Sequence, residues 1–153
     1  MLRRPMRHAY VWRPRKAGMA RFAELGYPTL QDEDWRFTNL APLTKLPFRP
    51  LLESAPDGVT PKTLDQLIFG KLDAVSLVFV NGHYCKELSF GGSLPPGVKV
   101  KSLAAALVED ADLLEKHLGR YAQDSANAFS ALNTAFFQDG GFVHITAGYS
   151  FER

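Results

Sequence analysis

His83, Cys85 and His144 are the side chains of this sequence best suited to ligate a metal. His83 and Cys85 stand two apart on an expected strand, which points them to one face. Together with His144 they would offer the imidazole and thiolate donors that zinc or iron takes. Such a centre needs three or more ligands at bonding distance with a supporting shell, and the spacing alone does not supply one. Cys85 as a small apolar group and His83 as a polar residue beside a turn account for the same pattern. No metal ligand is therefore assigned, and the metal centre stays an alternative.

Other reacting groups are sparse. The serines, Ser89 and Ser93 among them, lie in no nucleophile elbow, and no glycine-rich run ends in Lys-Ser or Lys-Thr to cradle a phosphate. Phe90 to Gly97 reads as a loop. His8 and His117 are isolated, and His117 just before Gly119 suits a helix C-terminus. The reading is of a non-enzyme with no catalytic, cofactor-binding or metal residue of its own.

The most distinctive stretch is Asp32-Glu33-Asp34-Trp35-Arg36-Phe37-Thr38-Asn39-Leu40, where three acids run directly into aromatics and a cation. Neither helical nor strand periodicity explains it. The acids suit the first turn of a short helix capped by Thr29 or Asp32, with Trp35 docked inward, Arg36 paired or stacked, and Asn39 at the exit.

This block, with Phe22 and Leu25-Gly26-Tyr27-Pro28-Thr29 before it and Leu77-Val78-Phe79-Val80-Asn81-Gly82 after it, resembles the N-terminal region of the SufB/SufD family, in its SufD-type form. Ala131-Leu132-Asn133-Thr134-Ala135-Phe136-Phe137-Gln138-Asp139-Gly140 and Phe142-Val143-His144-Ile145 resemble the family's lead-in to a long parallel β-helix. The likeness spans about residues 14 to 147. It implies a scaffold subunit of the SUF machinery for iron-sulfur cluster assembly, with a SufB-type paralogue and a SufC-type ABC ATPase as partners. Clusters would be handled by the full complex. Family members continue for several hundred residues where this chain stops at Tyr149 to Arg153. The expectation is that the β-helix and the ATPase-binding C-terminal helices lie outside it, so no cluster-handling residue carries over.

The 153 residues suffice for one domain with a real core, and 46% apolar with 22% charged residues is an ordinary globular composition. The single cysteine excludes an intrachain disulfide and fits a reducing compartment, so a cytoplasmic location is expected. Arg3, Arg4, Arg7, Arg13, Arg15 and Lys16 supply six of the 18 cations, leaving 12 against 16 acids in the rest. That arm, read as a frayed leader, also supports a second reading as an adaptor for nucleic acid or an anionic membrane surface. Nucleic acid is not the expected partner. No apolar run is long enough for a secretory signal or a membrane span.

The positioning elements follow from periodicity and punctuation. A helix is predicted from Pro14 until Gly26 and Pro28 stop it. Pro42, Pro47, Pro50, Pro56, Gly58 and Pro61 break an extended connector anchored by Leu43, Leu46, Phe48, Leu51 and Leu52. Thr63-Leu64-Asp65-Gln66 forms a capping box for a helix ended by Gly70. Asn81-Gly82 turns a hairpin between 75–80 and 83–88. Val98 to Val100 is a strand, Ser102 caps a helix, another helix spans Asp110 to Leu118, and a third starts at Ser125 with an apolar stripe of Phe129, Leu132 and Phe136. Phe142 to Thr146 is the final strand, whose edge and apolar face invite self-association.

The fold class expected is α+β. Residues 1–16 form a basic flexible arm, and 17–70 a helical region with a proline-rich connector. Residues 71–153 form a small α/β unit ending at the entry to a β-helix not contained here.

Overall fold

The computed structural model describes residues 9–52, 58–67, 74–122 and 127–149. These form two compact units, each assembled from separated stretches of chain. One combines the residues up to Pro50 with Asp112–Phe137, and the other combines Leu51–Ala111 with the residues from Gln138 onward. Helices and two small antiparallel sheets make the fold α+β, as the sequence predicts.

The first unit is organised by two helices, α1 (Ala9–Leu25) and α6 (Ala128–Phe136), which pack against each other. Gly18 is buried at the crossing. A Cβ there would lie 2.7 Å from the Ala131 carbonyl oxygen and 2.9 Å from the Ala135 nitrogen, so the helix backbones meet where only glycine fits. Ala131 is fully buried and Ala128 nearly so, which keeps the facing surface of α6 equally low.

Helix α1 starts at Ala9, one and a half turns before the predicted start at Pro14, and it contains that proline. An interior proline forfeits one backbone bond and costs about 3 kcal/mol. Val11, only 2% exposed, offsets much of that, since fully burying a valine contributes about 1.5–3 kcal/mol. Residues 9–16 of the expected flexible arm are thus helical. Helix α6 starts at Ala128, and its cap is Asn127, whose Oδ1 accepts from the amides of Phe129 (2.9 Å) and Ser130 (3.2 Å). The predicted cap, Ser125, lies outside the described residues.

Between these helices the chain makes a 3₁₀ turn, Glu33–Trp35, and a one-turn helix α2 (Ala41–Thr44). Asn39 Oδ1 accepts from the Ala41 amide (3.0 Å), so Asn39 opens α2 and does not close the preceding turn as expected. Helix α3 (Pro61–Leu67) is capped by Thr60, whose hydroxyl accepts from the Thr63 amide (3.3 Å) while the Thr63 hydroxyl accepts from the Thr60 amide (3.4 Å). The box is therefore displaced three residues from Thr63–Gln66, because Pro61 fits the first helical position and starts the helix early. Gly70, its predicted end, lies outside the described residues.

In the second unit, β1 (Phe79–Val80) and β2 (His83–Tyr84) pair antiparallel around Asn81 and Gly82, both at positive φ (52° and 82°), which is the turn that dipeptide favours. The strands are shorter than predicted because a 3₁₀ turn at Lys86–Leu88 interrupts the pairing, which resumes only at the antiparallel bridge between Ser76 and Phe90. The Val78 amide donates to Ser89 Oγ (2.9 Å), and that hydroxyl donates to the Cys85 carbonyl (2.6 Å).

Strand β3 (Val98–Ser102) pairs antiparallel with β4 (Gly141–Ile145), in register from Val98 with Ile145 to Ser102 with Gly141. Ser102 then caps α4 (Leu103–Glu109) by accepting from the Ala105 amide (3.2 Å). Asp139 ties the unit together. Its Oδ1 accepts from the amides of Ala104 and Gly140 (both 2.9 Å), and its Oδ2 from the Tyr84 amide (3.3 Å). Helix α5 (Ala111–Glu115) is shorter than the predicted Asp110–Leu118 because the chain turns from Lys116 onward.

At the C-terminus of α4, Asp110 has a side chain only 7% exposed and forms ion pairs with Lys99 and Lys101, and Lys101 also pairs with Glu109. Hydrogen bonds from Lys99 and then Lys101 hold the Asp110 carboxyl below its usual range. A depressed carboxyl stabilises the fold above its unfolded value, near pH 4, and loses that contribution as pH falls through the folded value.

Two outcomes follow. Gly18→Val lowers stability by about 1–3 kcal/mol in urea unfolding, because a branched side chain cannot fit between the helix backbones. Asp110→Asn lowers the urea midpoint at pH 7, and its deficit relative to the parent shrinks as the titration is carried to pH 3. A deficit constant across that range contradicts the ion-pair account.

Candidate interaction surfaces

The three metal-ligand candidates are not brought together. His83 Nε2 is hydrogen-bonded to the Leu51 carbonyl (3.0 Å). Cys85 follows β2, is buried, and its thiol donates to Glu87 Oε2 (3.5 Å). The Glu87 carboxyl is held below its usual range, first by its own backbone amide and then by that thiol. His144 stacks on Phe142 at 6.4 Å, with a buried Nδ1 that has no hydrogen-bond partner. Among the described residues no three His, Cys, Asp or Glu side chains are grouped to hold a metal ion. The arrangement does not favour the metal alternative built on His83, Cys85 and His144, since His83 and Cys85 are hydrogen-bonded to other groups.

The acidic-aromatic block does assemble. Asp32 Oδ2 accepts from the Thr29 amide (2.7 Å) and the Thr29 hydroxyl (3.0 Å), which hold its carboxyl below the usual range. The direction is backward to Thr29, not forward into the turn as a cap would run. Trp35 is half-buried against Phe129 (5.1 Å), and Tyr27 sits edge-on to Phe22 (5.1 Å) and 6.2 Å from Phe129. Phe129 is therefore the anchor for both aromatics. Arg36 pairs with Glu33 (3.1 Å) and lies over the Phe37 ring (4.6 Å), so both expected roles are filled at once.

Beside this block lies an open cleft of about 270 Å³, with Leu25, Pro28, Trp35 and Ala128 on its walls and Asp32, Glu33 and Asp34 on the acidic side. Asp34 has no hydrogen bond or ion pair among the described residues. The predicted apolar anchors of the connector are the reverse of buried. Phe48 is 64% and Leu46 54% exposed, and Leu43, Leu51 and Leu52 also face solvent, as does Phe37 at 88%. Closely spaced prolines keep this stretch from folding back, and the expectation of apolar anchors overlooked that. Phe142, by contrast, is buried, and Phe137 half-buried.

The basic arm is partly absorbed into the first unit. Arg15 donates to the Phe137 carbonyl and its guanidinium lies 4.8 Å over the Phe137 ring and 5.8 Å from that of Trp12. Burial lowers its pKa, yet a guanidinium remains cationic in proteins. Sequence periodicity alone could not show this contact, which joins residues 122 positions apart. Among the described residues no helix is long and apolar enough to cross a membrane.

The profile of the SufBD protein N-terminal region matches residues 6–153, nearly the whole chain. The chain belongs to the SufBD family. An iron-sulfur cluster assembly SufBD family protein of Synechocystis is 28% identical over 80% of this chain. A second Synechocystis protein of that description is 46% identical over 34% of the chain, and one from Arabidopsis thaliana 43% over 32%. The matched stretches cover 26%, 11% and 10% of those relatives, so the chain spans about a quarter of the length of the first. No solved structure matches significantly.

If the donors are committed as described, the purified chain carries no stoichiometric zinc or iron, and dialysis against a chelator leaves its melting temperature unchanged. One metal per chain, with a fall in melting temperature on chelation, would restore the His83, Cys85 and His144 centre.

Proposed function

We propose that this chain is the N-terminal module of a SufD-type scaffold subunit in SUF iron-sulfur cluster assembly. It engages a SufB-type paralogue and a SufC-type ABC ATPase through protein-protein contacts and transforms no molecule itself. The observation that carries this reading is the family match across residues 6–153, supported by relatives described as iron-sulfur cluster assembly proteins. Clusters are cargo of the whole complex, and the setting is the cytoplasm. The exposed aromatic side chain of Phe37 fits a module that works by docking.

The adaptor reading through the basic arm is less well supported, because the Arg15 guanidinium is engaged with Phe137 inside the first unit. Salt separates the two. Phosphate binding weakens steeply with rising salt, whereas apolar docking survives it.

Tagged full-length protein containing this module retains both a SufB-type and a SufC-type subunit on affinity resin at elevated salt, and deleting residues 1–149 reduces the yield of the assembled complex. Retention of neither partner overturns the assignment.

A further inference from the structure

The stretch from Arg36 to Leu52 contains three cations and no acid. The side chains of two of those cations, Lys45 and Arg49, have no hydrogen bond or ion pair among the described residues, and Leu46 and Phe48 between them are largely exposed. Pro47 and Pro50 fix φ at two positions of the segment, so less entropy is lost when it is bound. Elsewhere in the same unit, the cleft walled by Leu25, Pro28, Trp35 and Ala128 carries opposite charge, and its Asp34 is likewise unpaired. The exposure of Leu46 and Phe48 shows that a molecule does not fill its own cleft with its own segment.

We infer that two copies of the chain exchange the Lys45–Arg49 segment, each seating Phe48 and Leu46 against the apolar walls of the other's cleft while Lys45 and Arg49 meet the partner's acidic rim. Two-fold symmetry makes the contact twice per dimer, so a modest single contact gains strength by repetition. An apolar centre with a charged border is the usual anatomy of such an interface. The alternative occupant, a nucleic acid held by the same cations, leaves the exposed Phe48 and the acidic rim without a role. This inference stands apart from the proposed function, and its test uses no SUF partner.

Sedimentation equilibrium of the 153-residue chain over a wide concentration series tests it. The dimer dissociation constant rises with salt, and rises at least about tenfold in Phe48→Ser and in the Lys45→Glu, Arg49→Glu pair. Adding Glu33→Lys and Asp34→Lys to that pair restores association, because both sides of the contact are then reversed. All these positions are exposed, and circular dichroism confirms that the variants fold; were Phe48→Ser to misfold, the charge reversal and its rescue would still decide. A chain that stays monomeric throughout overturns the inference. So does a dimer indifferent to these changes but lost in Val143→Lys, which would place the contact on β4.

Discussion

The contact on which the first unit depends is the approach of α1 to α6 at Gly18. No side chain separates the helices there, and a methyl group would overlap the Ala131 carbonyl. Close helix contact of this kind trades the volume of one side chain for dispersion contacts along the whole crossing. It also fixes the rotation of α6. With Ala128 and Ala131 turned inward, Phe129 is left to receive Tyr27 and Trp35 from the segment after α1. The cleft and the acidic turn beside it inherit their shape from that placement.

The second unit solves a different problem. Two-stranded sheets are marginal by themselves in water, and among the described residues both sheets have two strands. Polar side chains supply what further strands would otherwise provide. Asp139 gathers amides from the entry of β4, the start of α4 and β2, and Ser89 bridges backbone groups beside the hairpin. A carboxylate acceptor makes the Asp139 bonds stronger than neutral pairs.

What could be read from the sequence were the features set by chemistry close in the chain. Asn81-Gly82 dictates its turn through φ, Ser102 caps through a hydroxyl three residues from its donor, and Val98-Lys99-Val100 announces its strand by alternation. Starts and ends governed by distant partners were not legible. Helix α1 extends past Pro14 where Val11 becomes buried, a fact of tertiary packing. The role of Asn127 was masked by the competing signal of Ser125, and that of Asp139 by the absence of any local pattern marking a carboxylate with partners 35 and 55 residues away. At the candidate surfaces, the Asp32–Phe37 block signalled an aromatic anchor through its composition. The exposure of Leu46 and Phe48 went unseen because hydrophobicity predicts burial by default, while proline-rich backbone withholds the return path that burial requires.

Amide hydrogen exchange read residue by residue bears most directly on this picture. The slowest amides of the first unit should be those of Phe22 in α1 and Ala131 to Ala135 in α6, with Lys45, Leu46, Phe48 and Arg49 among the fastest in a dilute, monomeric sample. Rapid exchange across α6 alongside a protected Lys45–Arg49 stretch would contradict it, since the helix crossing would then not be what holds the unit together.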